Sequence, residues 1–358
     1  MIPDFDKVHN KFKLNNGTYS HEDLKEVAYS FIKEGEPFER ELGMFLSDWL
    51  DSKDYIKTQT SGTTGKPKTI KIKKQAMVYS AIATGNYFDL KPGDTALHCL
   101  PTQFIAGKMM LVRAFILGLE IDIIEPTTLL HFNTEKQYDF CAMIPMQLQS
   151  NLKKLNNIKK IIVGGAPLSS KLVSELQTLK TEVYATYGMT ETVTHIAVKK
   201  INNFTNSHSN PIESSYYETL PNIKISQDKR TCLVIDAPEL SENQIITNDM
   251  VKLHSKTSFE WLGRFDNVIN SGGIKFFPEQ IEEKLKAKIQ NRFFIASETD
   301  EKLGEKLILI IEAENNKLPT TVFEGLDAYE IPKKIYAISK FLETDSGKIQ
   351  RLQTLASI

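Results

Sequence analysis

The hydrophobic pattern changes period several times along the chain. Leu24, Val27 and Phe31, then Phe38, Leu42, Phe45 and Trp49, recur near helical spacing and predict an opening helical region. Around Tyr55 the pattern becomes strand-like. A strand over Tyr55–Gln59 and a return strand over Thr69–Lys73 predict a hairpin that presents the residues between them. Apolar strands at Ile158–Val163 and 182–187 then alternate with helices such as 170–179, where Leu172, Leu176 and Leu179 share a face. This alternation predicts a large α/β domain.

Residues 199–230 are polar and irregular, with Asn202-Asn203, Asn206 to Asn210 and Tyr216-Tyr217, and read as a surface excursion rather than another βα unit. The character changes after Trp261-Leu262-Gly263-Arg264. A Ser271-Gly272-Gly273 turn precedes a helix opened by Pro278, with Ile281, Leu285 and Ile289 in register, and short strands follow at 293–296 and 306–312. The expectation is two domains: residues 1–265, of α/β type, and a smaller α+β domain over 266–358.

The 358 residues are 41% hydrophobic and 25% charged, ordinary usage for a globular protein. Lys plus Arg number 44 against 45 Asp plus Glu, so a net charge of −1 supplies no field for nucleic acid or an anionic membrane. Cys99, Cys141 and Cys232 form no CxxC pair and suit buried, reduced thiols in a cytoplasmic protein. The amino-terminal MIPDFDKVHNKFKLNNG lacks the apolar core of a signal peptide. Lys108, Arg113, Glu120 and Asp122 interrupt the most apolar stretch, 104–124, so no membrane span is expected. Composition leaves a homo-oligomer open.

The hairpin loop concentrates chemistry. In Gln59-Thr60-Ser61-Gly62-Thr63-Thr64-Gly65-Lys66-Pro67-Lys68, the glycines let backbone amides face an anion, the hydroxyls donate, and Lys66 and Lys68 add charge. Two residues separate the glycines and Pro67 follows the lysine, so this is not a Walker A loop. By itself it is either a phosphate cradle or a Gly/Ser/Thr surface turn.

Tyr184-Ala-Thr-Tyr187-Gly188-Met189-Thr190-Glu191-Thr192 leaves a buried strand carrying an aromatic, a hydroxyl and a carboxylate, at the strand end where α/β sheets bind ligands. Tyr187 can stack on a base, Thr190 can donate to a phosphate and Glu191 can hold Mg²⁺; the same residues could simply cap a helix. Gly164-Gly165-Ala166-Pro167 also leaves a strand and offers a flat ring a bare stretch of backbone. Asp249 suits ribose hydroxyls and Arg264 a sugar or phosphate oxygen, unless the two form a surface ion pair. Lys348, on the Ser346-Gly347 turn, is either functional or solvated.

Taken in order, TSGTTGKPK, GGAPL, YGMTET, GRFDNVINSGG followed by PEQIEE, and SGKIQR resemble the adenylate-forming superfamily of acyl-CoA synthetases, luciferases and peptide-synthetase adenylation domains over residues 59–351. YGMTETVTHIAVK and LPTQFIAGKMMLVRA are similar to the short o-succinylbenzoate:CoA ligases of menaquinone biosynthesis. The resemblance implies a large α/β domain of the adenylate-forming type, a mobile small domain, and a ligase that uses ATP, Mg²⁺, CoA and a small carboxylic acid. Alternatives are another small aryl or acyl acid:CoA ligase, an adenylation domain loading a carrier protein, and a silent nucleotide-binding module.

By the same resemblance, residues 60–68 would hold the β- and γ-phosphates, Gly164 to Pro167 with Tyr187 and Gly188 would enclose adenine, and Asp249 and Arg264 would bind ribose. Thr190 would touch the α-phosphate and Glu191 the Mg²⁺. Lys348 would bridge the acid and the α-phosphate, with Asp266 as hinge. The Ser271-Gly272-Gly273 turn would line the path of the CoA arm. A keto-diacid needs a cation for its second carboxylate, and Lys108, Arg113 and His195 are the candidates; the plainer account is that both cations snorkel and His195 is a satisfied polar residue. Two departures stand out: the phosphate loop comes early in the chain, and Thr247-Asn248-Asp249 replaces the usual Thr-Gly-Asp.

Overall fold

The computed structural model describes residues 2–59, 69–203, 216–343 and 349–358. The predicted phosphate loop, Thr60 to Lys68, and Lys348 lie outside the described residues. The two strands flanking that loop, Tyr55–Gln59 and Thr69–Lys73, pair antiparallel with Gln59 opposite Thr69, as the pattern predicts.

A sheet of 13 strands among the described residues dominates the fold. Its parallel half runs from Glu182–Gly188 through Ile158–Val163, Tyr138–Met143, Thr95–His98 and Glu120–Ile123 to the short Lys13–Leu14. Beyond Glu182–Gly188 the direction changes. His195–Lys200, Tyr217–Thr219, Ser258–Arg264, Ile245–Leu253, Cys232–Asp236 and Lys224–Gln227 follow, each antiparallel to its neighbour. The stretch 199–230 is therefore not merely an excursion, since Tyr217–Thr219 and Lys224–Gln227 join the sheet. Both are too short for a two-residue alternation to stand out from their polar surroundings.

Helix Ile105–Leu117 lies within the core. Residues Gly107 to Ile116 are all buried, and a helix enclosed on all sides need not carry a polar stripe. Gly107 permits that depth, because a Cβ there would sit 2.3 Å from the Pro101 carbonyl oxygen. Helices Asp23–Glu34 and Pro37–Leu50 pack against each other and place Leu24, Leu42, Phe45 and Trp49 in the same core. Phe115 joins Phe12 edge-on at 5.0 Å between ring centroids and Trp49 at 6.3 Å. Truncating Trp49 to alanine should cost about 3 to 5 kcal/mol.

The chain leaves the large sheet at Arg264, passes a 3-10 turn at Phe265–Asn267 and enters a second sheet at Ile269–Ser271. That sheet contains Phe293–Asp300 and Gly304–Glu312, longer than the sequence pattern suggests, with Lys334–Ile338 added in parallel. Ile281 and Leu285 of helix Pro278–Leu285, followed by Ile289, close a separate apolar core with Ile269, Leu307 and Leu309.

Candidate active site

Of the predicted residues that are described, Tyr187 to Glu191 and His195 lie at the seam where the sheet changes from parallel to antiparallel. Gly164 to Pro167 follow the neighbouring parallel strand, and Asp249 and Arg264 reach the seam through Tyr187. Between Glu182–Gly188 and His195–Lys200 the chain makes a 3-10 turn, Thr190–Thr192, leaving Thr190 half-buried and Glu191 exposed. The Thr192 hydroxyl fixes the turn: it accepts from the Met189 amide at 3.0 Å and lies 2.7 Å from the Thr194 carbonyl oxygen. Val193 follows with φ 67° and ψ −58°, and the Thr194 amide donates to the Thr192 carbonyl at 2.8 Å. This is a γ-turn of the strained hand. For a β-branched residue it stores on the order of 1 to 3 kcal/mol.

Two glycines permit close approach at the same seam. A Cβ on Gly188 would lie 2.3 Å from the Thr194 carbonyl oxygen, and one on Gly164 would lie 2.4 Å from Thr186 Oγ1. That hydroxyl donates to the Val163 carbonyl at 3.1 Å, tying neighbouring strands. Gly165 takes φ 87°, and Ala166 and Pro167 are exposed beside it. Such a bare backbone edge can accept a flat heterocycle.

Tyr187 and Asp249 meet directly. The Tyr187 hydroxyl donates to Asp249 Oδ2 at 2.6 Å, and its ring packs edge-on against Phe259 at 5.2 Å. Burial, then the Asp249 charge, pushes the Tyr187 phenol well above its ordinary range, so it remains a donor. Asp249 is buried and lies in register opposite Arg264, whose guanidinium is 3.8 Å from Asp249 Oδ1 and 3.0 Å from Asp266 Oδ2. Asn248, standing where glycine is usual, is engaged on both sides. Its Oδ1 accepts from Arg230 Nη1 at 2.8 Å, and its Nδ2 donates to Asp266 at 3.3 Å.

On the core side of the seam, His195 meets Arg113. Arg113 Nη2 is 3.4 Å from His195 Nδ1, and Arg113 Nε donates to Thr84 Oγ1 at 3.3 Å. Arg113 is 1% exposed and His195 5% exposed, yet no described carboxylate pairs with either. An arginine has no acceptor, so His195 Nδ1 must be the acceptor and Nε2 carries the proton. That Nε2 has no hydrogen-bond partner among the described residues. Burial, reinforced by the Arg113 charge, holds His195 well below its ordinary pKa and hence neutral. Burial also draws the Arg113 guanidinium down, to about 9, leaving it charged at neutral pH.

Lys108 does not join this pair. Five residues before Arg113, it is rotated by roughly 140° about the helix axis, donates to the Gln103 carbonyl at 2.9 Å, and feels Asp48 and Glu41 on Pro37–Leu50. Sequence reasoning passed over Thr84 and Phe259, which lie in no glycine-rich or charged motif, and Arg230, which ends the charged run Asp228-Lys229-Arg230. An open cleft of about 740 Å³, lined by Asn15, Asp122, His131, Lys136 and Tyr138, holds none of the predicted residues and has no tie to this chemistry.

No cluster of three or more metal-ligating side chains occurs among the described residues. Glu191 is a single exposed carboxylate, which fits a Mg²⁺ that takes its other ligands from phosphates and water. Nor is any helix among them long and apolar enough to cross a membrane.

A bare glycine edge and a hydroxyl and carboxylate turn at strand ends of a mixed sheet, with a buried acid beside an arginine, define a nucleotide-binding α/β enzyme. The family described as AMP-binding enzyme matches residues 31–227, more than half of the chain, and the chain belongs to that family. An acyl-CoA synthetase (AMP-forming)/AMP-acid ligase II-like protein from Dyadobacter fermentans is 36% identical, with 93% of this chain and 98% of that one covered and a TM-score of 0.61. The 2-succinylbenzoate–CoA ligase of Listeria monocytogenes is 25% identical over 91% of this chain and 74% of its own length. The o-succinylbenzoate CoA synthetase of Bacillus subtilis, solved with ATP and magnesium, has the same fold, with a TM-score of 0.71 at 20% identity over 84% of this chain and 69% of that one.

Proposed function

We propose that the protein is an AMP-forming carboxylate:CoA ligase acting on o-succinylbenzoate in menaquinone biosynthesis. The observation that carries the choice of acid is Arg113: a buried guanidinium facing neutral partners, beside the unpaired Nε2–H of His195. A buried cation in that state calls for an anion, and the diacid's second carboxylate supplies one. The curated relatives named 2-succinylbenzoate–CoA ligase support the same acid.

In the first step an oxygen of the succinyl carboxylate attacks the α-phosphorus, and the bond to the β-phosphate oxygen breaks to release pyrophosphate. In the second the CoA sulfur attacks the acyl carbon and AMP departs, the thiol proton passing to solvent. Thr190 would donate to the α-phosphate, Glu191 would hold the Mg²⁺ that offsets phosphate charge, and Asp249, oriented by Tyr187, would take the ribose hydroxyls beside Arg264. Residues 60–68 would grip the leaving pyrophosphate, and Lys348 would bring the two anions together. The domain of residues 266–358 would swing about Asp266 between the steps, removing Lys348 and bringing the Ser271 to Gly273 turn over CoA.

Purified protein with ATP, Mg²⁺, CoA and a panel of carboxylic acids tests this, read by pyrophosphate release and thioester mass. O-succinylbenzoate should give both products. Absence of pyrophosphate with every acid would refute the enzyme, and pyrophosphate without thioester would favour carrier loading. A second reading, another small aryl acid:CoA ligase, draws on the 36% identity to the Dyadobacter protein, whose name specifies no acid. Lys348→Ala should lose adenylation yet still convert supplied acyl-AMP; equal loss of both halves would contradict the swing.

A further inference from the structure

We infer that Val193 is a positioning residue whose strained backbone sets the nucleotide side and the acid side of the site with a single reversal of the chain. The inference rests on the function proposed above. On one side of Val193 stand Thr190 and Glu191, and on the other stands His195, facing Arg113. The chain turns between them within one residue.

Several contacts make the turn unavoidable. The Val193 amide donates to the Thr190 carbonyl at 3.0 Å, the Thr194 amide to the Thr192 carbonyl, and the Thr192 hydroxyl closes onto Thr194 from the other side. The Val193 side chain is 2% exposed and belongs to the main core, so it pins the turn from within. Gly188 leaves room for the Thr194 carbonyl to come down on the preceding strand.

The strand that follows carries the consequence. His195 stands opposite Gly188 and Ala197 opposite Tyr187, so an extra residue is inserted between them. A bulge of this kind re-aims a side chain. Here it directs His195 to Arg113, and a slip of one residue would turn the opposite face inward. The same reversal therefore decides where the carboxylate of Glu191 and the imidazole of His195 lie.

The test compares Val193→Ala with Val193→Gly. Both delete the buried isopropyl group, but only glycine relieves the positive φ. Elsewhere in a strand glycine is the less stable of the two. Here the glycine variant should have a urea midpoint equal to or above that of the alanine variant, yet at least ~10-fold lower kcat/KM for pyrophosphate release, with KM for acid and for ATP rising together. Arg113→Met should raise KM for the acid alone. A glycine variant as active as the alanine variant, or activities that follow the stabilities, would overturn the inference. If the unaltered protein releases no pyrophosphate with any acid, the proposed function fails. The order of the urea midpoints and the AMP affinities by calorimetry then still decide the inference: glycine at least as stable but weaker for AMP supports it, and any other order refutes it.

Discussion

Replacing Arg113 with methionine should make the protein more stable and less active. The guanidinium is buried, and its fall from 12.5 to about 9 corresponds to something on the order of 5 kcal/mol of uncompensated charge burial. Against this stand long contacts to neutral atoms: Thr84 Oγ1 at 3.3 Å, His195 Nδ1 at 3.4 Å and Met110 Sδ at 3.8 Å. Good hydrogen bonds from a charged donor contribute about 1.5 to 3 kcal/mol each, and bonds this long contribute less. Methionine matches the length of the stem without the charge, so urea unfolding should show a gain of roughly 1 to 4 kcal/mol. Removing the buried partner of a substrate carboxylate should cost about 2 to 5 kcal/mol, or ~30- to ~5000-fold in kcat/KM. Pyrophosphate release with o-succinylbenzoate, compared with 4-oxo-4-phenylbutanoate, isolates this loss, because the analogue lacks the aromatic carboxylate and should be nearly indifferent to the change. A methionine variant that is clearly less stable and keeps its kinetics with the diacid would mean that Arg113 serves the fold and meets no ligand.

Tyr187→Phe keeps the ring but removes the 2.6 Å bond to buried Asp249, so AMP affinity by calorimetry should fall about 10- to 100-fold; an unchanged affinity would show that Asp249 needs no orienting partner. Arg351→Met leaves the buried Glu282 carboxylate with the Ile295 amide as its one hydrogen-bond partner among the described residues and should cost about 3 to 5 kcal/mol in urea unfolding, most of it recovered by adding Glu282→Gln. Acid should weaken the fold through His98, which burial lowers from 6.5 to about 4. Between those values the unfolded chain binds a proton that the folded one refuses, so stability falls with pH by about 2 to 3 kcal/mol at pH 4.5. His195 acts in the same direction. Urea midpoints at pH 7 and 4.5 should differ less in His98→Gln.

Two strands of the parallel half of the large sheet, Ile158–Val163 and Glu182–Gly188, were legible because they are apolar runs separated by a helix, Ser170–Leu176. The antiparallel half was harder to read. Tyr217–Thr219 is three residues long, and its pairing with Ser258–Arg264 spans a separation that no local pattern encodes. The apolar character of 104–124 was legible, but the opposite fates of Lys108 and Arg113 depend on helical phase and on what packs against each face of Ile105–Leu117. Motif residues were found because glycines, hydroxyls and charges cluster in sequence. Thr84 and Phe259 reach the site from distant elements, and the turn at Val193 arises in a residue type that resists it, so neither has a composition signal.

The seam between the two halves of the large sheet has a consequence for how the protein comes apart. Tyr187 belongs to the last parallel strand, while Asp249 and Arg264 belong to antiparallel strands, so a nucleotide touching all three would staple the halves together. Without it, the Glu182–Gly188 to His195–Lys200 ladder, the shared core and the side-chain ties of Tyr187 to Asp249 and Arg113 to His195 oppose their separate opening. AMP should therefore do more than raise the melting temperature: it should sharpen the transition, and hydrogen exchange in the two halves should converge on a common rate.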